Sequence, residues 1–340
     1  MAHTRISAKL PPHIDPTKAS IAFGDRALPK LNRELADPEL LTRQRALMAL
    51  CDLLHDPELA YTAAEVGCLE NLIFLLKDED ATVRHKTTEI FYILVTHTIG
   101  RFAFLEHDVI MPLSVLLNDP EDVCRKNVHM VMEMFSQIPA GATAIVYAGL
   151  VPDLIMKLHT ELDEIQELIL KTLHFCLLVD TKQALDAEGI SVLKSKLTHS
   201  SAAMRSLAAE ALMNISVPLE GKKKVCDEEV IPILVELLSD SESEVRAAAA
   251  GALMFATITT QGKYEALKAD IIPSLLILVN DPVNKVRLNA IKSIATVSES
   301  PEGRKLLLDH VVLLQEKLHD PSEAVRKAAK ITIDIITWKP

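Results

Sequence analysis

Glycine and aromatic residues are scarce in this 340-residue chain, which holds 10 Gly, 8 Phe, 4 Tyr and a single Trp. Barrels and sandwiches draw on aromatic strands and glycine turns, so this scarcity argues against them. Cysteine is sparse and odd in number: Cys51, Cys68, Cys124, Cys176 and Cys226, with no C-x-x-C. Zinc sites, thioredoxin-like motifs and disulfide scaffolds are thereby excluded, and most of the five are expected to be small core residues of a reducing compartment. Long apolar runs are missing too. The longest, Ala247 to Ala256, is about half of what a bilayer requires, and Met1 to Leu10 has no apolar stretch, so neither a membrane span nor a secretory leader is expected. Excess positive charge is also absent: the net charge is −11 and the isoelectric point about 5.6, which argues against nucleic acid and anionic membranes as partners. What remains is 49% hydrophobic residues, mostly Ala, Leu, Ile and Val set among Lys and Glu, a composition suited to helices.

The chain repeats itself. An acidic or small polar residue, often followed by Pro, has an Arg six positions later at Asp37–Arg43, Asp78–Arg84, Asp119–Arg125, Asp240–Arg246, Asp281–Arg287 and Asp320–Arg326. Degenerate copies, Thr160–Gln166 and His199–Arg205, fill the gap, so eight copies of about 41 residues occupy nearly the whole chain. Glycine forms a second ladder: Gly100, Gly141, Gly221, Gly262 and Gly303 each stand 16 residues beyond an Arg position. Gly67, Gly149 and Gly189 stand 16 or 17 residues before theirs. A third ladder is Pro29, Pro112, Pro152, Pro232 and Pro273. Three ladders in phase mean stacked structural repeats rather than two globular domains.

Helix grammar gives each unit three helices. A long helix opens at the Asp-Pro, with Asp as its N-cap and Pro in its first turn. The ladder glycine marks the break after it, a short helix follows, and another opens near the proline. Arg is expected to pair within its own copy, with carboxylates or carbonyls along the stack. This predicts an all-α, right-handed armadillo/HEAT-like α-solenoid over 28–340, preceded by an extended arm or partial cap over 1–27, with Ile21-Ala22-Phe23 apolar enough to dock.

Catalytic chemistry has no foothold. Neither H-E-x-x-H nor G-x-S-x-G occurs, and Gly221-Lys222-Lys223-Lys224 lacks the upstream Gly and the hydroxyl of a phosphate loop, which leaves it a solvated helix start. Glu106-His107-Asp108, the densest cluster around any of the 12 His, points its members in different directions on a helix end. No catalytic residue, metal, cofactor or small-molecule substrate is expected, and the chain reads as a non-enzyme.

Val230-Ile231-Pro232-Ile233-Leu234-Val235-Glu236-Leu237-Leu238 and Ala208-Ala209-Glu210-Ala211-Leu212-Met213-Asn214-Ile215 resemble the second and third helices of armadillo repeats, while the Asp/Arg spacing also resembles the related HEAT repeat. Room for a third, short helix favours armadillo. The resemblance implies partner binding on the concave face lined by the third helices. Importin-type members present Trp there, and Asn four residues later, for basic peptides. The corresponding positions here hold Glu89, Met130, Lys171, Glu210 and Lys292, with Asn214 alone matching an Asn, which disfavours reading of nuclear-localisation signals. These six are the candidate protein-binding residues, and charge reversal at Glu89, Lys171, Glu210 or Lys292 is expected to weaken binding while leaving stability unchanged.

Residues 14–31 and 42–53 are similar to an armadillo-repeat family of radial-spoke subunits in motile cilia and sperm flagella. That resemblance implies a cytoskeletal scaffold in the axoneme, contacting other spoke proteins in the complex that links doublet microtubules to the central pair. The alternative is a soluble adaptor that recruits or carries peptide ligands.

Overall fold

The computed structural model describes residues 26–338. Among them, helices joined by short turns account for the chain, and the packing divides it into two compact units at Leu150/Val151, beside the two degenerate copies of the repeat. The arm expected over 1–27, with its Ile21-Ala22-Phe23, lies outside the described residues except for Arg26 and Ala27, and Ala27 is already the first residue of α1.

The first unit holds α1 (Ala27–Leu35), α2 (Leu40–Leu53), α3 (Pro57–Glu65), α4 (Cys68–Leu75), α5 (Ala81–Thr96), α6 (Thr98–Glu106), α7 (Ile110–Ser114), α8 (Asp122–Ser136) and α9 (Pro139–Tyr147). The long helices α2, α5 and α8 stack in series, and the short helices α3, α6 and α9 form a parallel series outside them. Between the layers lie fully buried Leu47, Leu50, Leu72, Ile90 and Phe135, with Phe91 and Phe104 meeting edge to face at 5.5 Å.

The second unit holds α10 (Val151–Lys157), α11 (Asp163–Val179), α12 (Lys182–Asp186), α13 (Gly189–Lys196), α14 (Ala202–Ile215), α15 (Leu219–Asp227), α16 (Ile231–Glu236) and α17 (Ser243–Ala256). It continues through α18 (Thr260–Lys268), α19 (Ile271–Leu278), α20 (Asn284–Ser298), α21 (Pro301–Leu307), α22 (Val311–Glu316) and α23 (Glu323–Thr337). Here α11, α14, α17, α20 and α23 stack in series. The architecture is the expected armadillo/HEAT-like α-solenoid, three helices to a repeat. No single helix can bury its apolar stripe alone, so stability comes from neighbours.

The ladders have different causes from those the sequence suggested. Asp does not cap the long helix. Its carboxylate accepts the backbone N–H two residues on, as Asp78 does from Asp80 at 2.9 Å and Asp281 from Val283 at 2.8 Å, and the N-cap is that second residue. An Asx turn therefore precedes the helix. The glycines at Arg+16 lie inside the first turn of the short helix instead of ending the long one. A Cβ on Gly221 would stand 1.8 Å from the Ile215 carbonyl oxygen, and one on Gly262 2.1 Å from that of Ala256. Only hydrogen fits there.

The glycines before Arg serve a different end. Gly67 and Gly149 have φ of 78° and 70°, the left-handed conformation that glycine adopts without strain. At the equivalent turn, 17 residues before Arg, four other repeats place Asp108, Glu188, Glu229 and Asp270, with φ between 48° and 58°. Gly189, 16 residues before Arg205, does not belong to that set. It starts α13, where a Cβ would stand 2.7 Å from the Ala184 carbonyl oxygen. The cysteines are buried free thiols, and burial pushes Cys68 and Cys176 up to about 12.

Candidate partner-binding faces

The most regular polar feature is a set of rungs between successive repeats. Arg84 donates from Nη1 to the carbonyls of Asp78 and Glu79, both at 3.0 Å, in its own repeat. Its Nε and Nη2 reach the carboxylate of Asp119, in the next repeat, at 2.6 and 3.3 Å. Arg43–Asp78 repeats this bridge in the first unit at 3.0 Å. In the second unit the rungs are Arg205–Asp240 at 2.8 Å, Arg246–Asp281 at 2.7 Å and Arg287–Asp320 at 2.8 Å. The pairing is thus internal to a copy only for the carbonyls, while the charged partner is supplied by the neighbour. Planar, bidentate guanidinium suits this double duty. The rungs are nearly buried, and the Arg287 hydrogen bond holds Asp320 below its ordinary carboxylate range. For Asp240 burial opposes, but the bonds from Arg205 and the Glu242 N–H prevail and lower it.

Glu89 is a different residue from the one expected. It lies on α5 and accepts from the ammonium of Lys86, one turn back, at 2.7 Å, while the Lys86 side chain is only 3% exposed. Glu89 neutralises a buried cation, so reversing its charge leaves two positive groups in a dry site. The expectation that this reversal spares stability is incompatible with the packing. His85 Nε2 stands 3.8 Å from the same carboxylate. Burial first, then the Lys86 charge, lowers its pKa, against the pull of Glu89. Met130, on α8, is half-buried.

In the second unit Glu210, Asn214 and Lys292 lie on the inner helices together with Lys171. Asn214 is 4% exposed and donates from Nδ2 to the His174 carbonyl oxygen on α11 at 3.2 Å. It ties two inner helices together, as Asn289 does by donating to the Ala247 carbonyl at 2.8 Å. Its match to the importin-type pattern is therefore explained by packing. Glu210 accepts from Lys285 Nζ at 3.1 Å, and Lys285 also lies 3.6 Å from Glu244. This bond joins α14 to α20 across α17. The helix crossed, α17, is rich in small residues at 247–252, and a Cβ on Gly251 would stand 2.8 Å from Met213 Sδ. Burial works against the Lys285 charge, but Glu210 and Glu244 raise its pKa.

Lys171 and Lys292 are exposed. Lys292 borders a cavity of about 210 Å³ with Leu288, Ala295, Lys327, Ala328 and Ile331. Of the lysines after Gly221, Lys223 is exposed and Lys224, donating to the Leu185 carbonyl at 3.0 Å, is partly so; only Lys222 departs from the expected solvation, being buried and donating to the Val217 carbonyl. His107, in the cluster weighed for metal, meets Glu70 at 3.5 Å. Among the described residues no group of three or more His, Cys, Asp or Glu is placed to hold a metal, and no single helix is long and apolar enough to cross a membrane. Sequence reasoning missed Lys86, His174 and Lys285. For Lys285 the run of small residues at 247–252 was the available signal.

Residues 151–254 match a sequence model of HEAT repeats, and residues 223–297 match one of a PPP2R1A-like HEAT repeat. An engineered protein solved by a structural genomics consortium is similar in fold, with a TM-score of 0.85 and 23% identity, over 92% of this chain and 79% of its own. A designed armadillo repeat protein superposes with a TM-score of 0.61 at 20% identity, over 67% of this chain and 99% of its own. Another, solved in complex with the peptide (KR)4, gives 0.60 at 19%, again over 67% and 99%. Residues 151–297 thus carry HEAT-type repeat sequence, and the fold is that of the armadillo/HEAT solenoids.

Proposed function

We propose that this chain is a non-enzymatic scaffold subunit of the radial spokes of motile cilia and flagella. Its place is then the cytoskeleton of the axoneme, where it binds other spoke proteins through its repeat surface. The observation that carries this reading is the similarity of residues 14–31 and 42–53 to the radial spoke head protein 14 family. The fold supports the coarser part of it, since stacked repeats expose long faces for partners and need no catalytic centre. Exposed side chains such as Lys171 and Lys292 on the inner helices, and Phe74, 78% exposed on α4, are contacts that such a role would use.

A second reading is a soluble adaptor that recruits or carries peptide ligands. It is favoured by the designed armadillo neighbour solved with a peptide. Fractionation of motile cilia separates the two. The spoke reading expects the chain to stay with axonemes through a salt wash. Recovery only in the detergent-soluble fraction would overturn it and favour the adaptor.

A further inference from the structure

We infer that the C-terminal end of the second unit is a docking site for an acidic segment carrying an apolar anchor. The inference rests on the reading of the chain as a partner-binding scaffold and is independent of the axonemal assignment. Two cavities adjoin there and share Ile331, itself 58% exposed on α23. The first, of about 210 Å³, lies between α20 and α23. The second, of about 410 Å³, is bounded by Arg304, Ile335 and Trp338. Trp338 is 58% exposed, and the Arg304 guanidinium lies 5.4 Å from its ring centroid. An exposed tryptophan, an arginine and an isoleucine around two hollows with a common wall form the kind of cluster on which interfaces concentrate their binding energy.

Charge decides the partner. On the same helix, Lys285 is answered by carboxylates from α17 and, beyond it, α14. Lys292 has no such answer: no carboxylate lines its cavity, and Lys327 faces it from the other wall. Two cations flanking an apolar hollow repel each other, and an incoming carboxylate relieves both. The competing acids are peripheral. Glu323 holds Lys327 at 2.6 Å, but both side chains are about two-thirds exposed or more, so the pair is weak and exchangeable. Asp334 borders only the second cavity, which Arg304 balances. Within a chain of net charge −11, the two lysines that line the first cavity are a local positive feature suited to steering an acidic partner.

Trp338 is the chain's single tryptophan and reports on the site directly. The full chain is titrated with a short synthetic Glu/Asp peptide carrying leucines, and with its Lys counterpart. The acidic peptide should shift Trp338 emission to the blue, the basic one should leave it unchanged, and Lys292→Glu with Lys327→Glu should weaken the response roughly tenfold or more. Ile331→Ser, at an exposed position, should weaken it with no loss of helicity by circular dichroism. Equal responses to both peptides, no response to the acidic one, or an emission shift that tracks protein concentration without peptide would overturn the inference; the last would show a second copy covering the face. Failure of the axonemal reading is separate: loss of the chain from washed axonemes leaves this titration unaffected.

Discussion

The two units are built from one repeat, yet they handle charge on their inner helices in opposite ways. In the first, Lys86 is buried and closed off locally by Glu89, one turn away on the same helix. In the second, Lys285 is half exposed and reaches across a whole helix to Glu210. A local pair in a dry site is structural, because removing one member strands the other. In the long bridge Glu210 is about as covered as Glu89, but the cation, Lys285, stays half exposed, and two turns further on Lys292 meets no carboxylate at all in its cavity. The first unit exposes Phe74, Met111 and Val115 around a groove of about 520 Å³ between α4 and α7. Position in the repeat therefore does not decide whether a charge is available to a partner; the size and burial of its neighbours do.

Charge reversal at matched inner positions breaks the comparison most sharply. Glu89→Lys should destabilise the first unit by about 2–4 kcal/mol, the cost of an uncompensated buried charge. Lys171→Glu, on the exposed face of the second, should change stability by less than about 0.5 kcal/mol. Hydrogen exchange resolved by unit measures both, and equal effects would remove the distinction.

Acid should act on the two units in different windows. His85 has its folded pKa lowered by burial, so the stability it contributes is full above its unfolded value of about 6.5 and is lost as pH falls from there through the folded value. Asp240 and Asp320 are lowered too, from a carboxylate reference. Their contribution is present above about pH 4 and is lost below it. Exchange protection in the first unit should begin to fall near pH 6, while protection around α17 and α20 holds until about pH 4. Loss of both in one step at the lower pH would contradict the role given to His85.

The smallest expected effects come from the left-handed turns. Asp270→Gly should relieve strain and stabilise the second unit by about 1 kcal/mol, and Gly67→Ala should cost the first about as much. Thermal unfolding of the two variants should shift in opposite directions.

Much of this was legible in one sequence, and the exceptions share a cause. The repeat length, the three helices per unit and the alignment of inner positions follow from spacing alone, because a stacked solenoid imposes the same period on every side chain that touches a neighbour. The partner of each Arg was not legible, since carbonyls six residues back and a carboxylate about 35 residues ahead are equally compatible with the ladder. Glu89 was misjudged because its place on the helix says nothing of Lys86 being buried beneath it. Asn214 fitted a ligand-binding pattern while its amide faced the neighbouring helix. Gly189 could have been separated from Gly67 and Gly149 by its one-residue offset, which places it after the turn instead of in it.

The central claim is that the repeated arginines join successive repeats, so that Arg246 answers the Asp281 carboxylate of the next copy and, in its own, only the backbone carbonyls of Asp240 and Ser241. A double-mutant cycle tests it directly, with Arg246→Ala, Asp281→Ala and Asp240→Ala measured singly and in pairs by urea unfolding. The account predicts a coupling of at least about 1 kcal/mol between Arg246 and Asp281 and less than about 0.5 kcal/mol between Arg246 and Asp240. Coupling concentrated on Asp240 would contradict it.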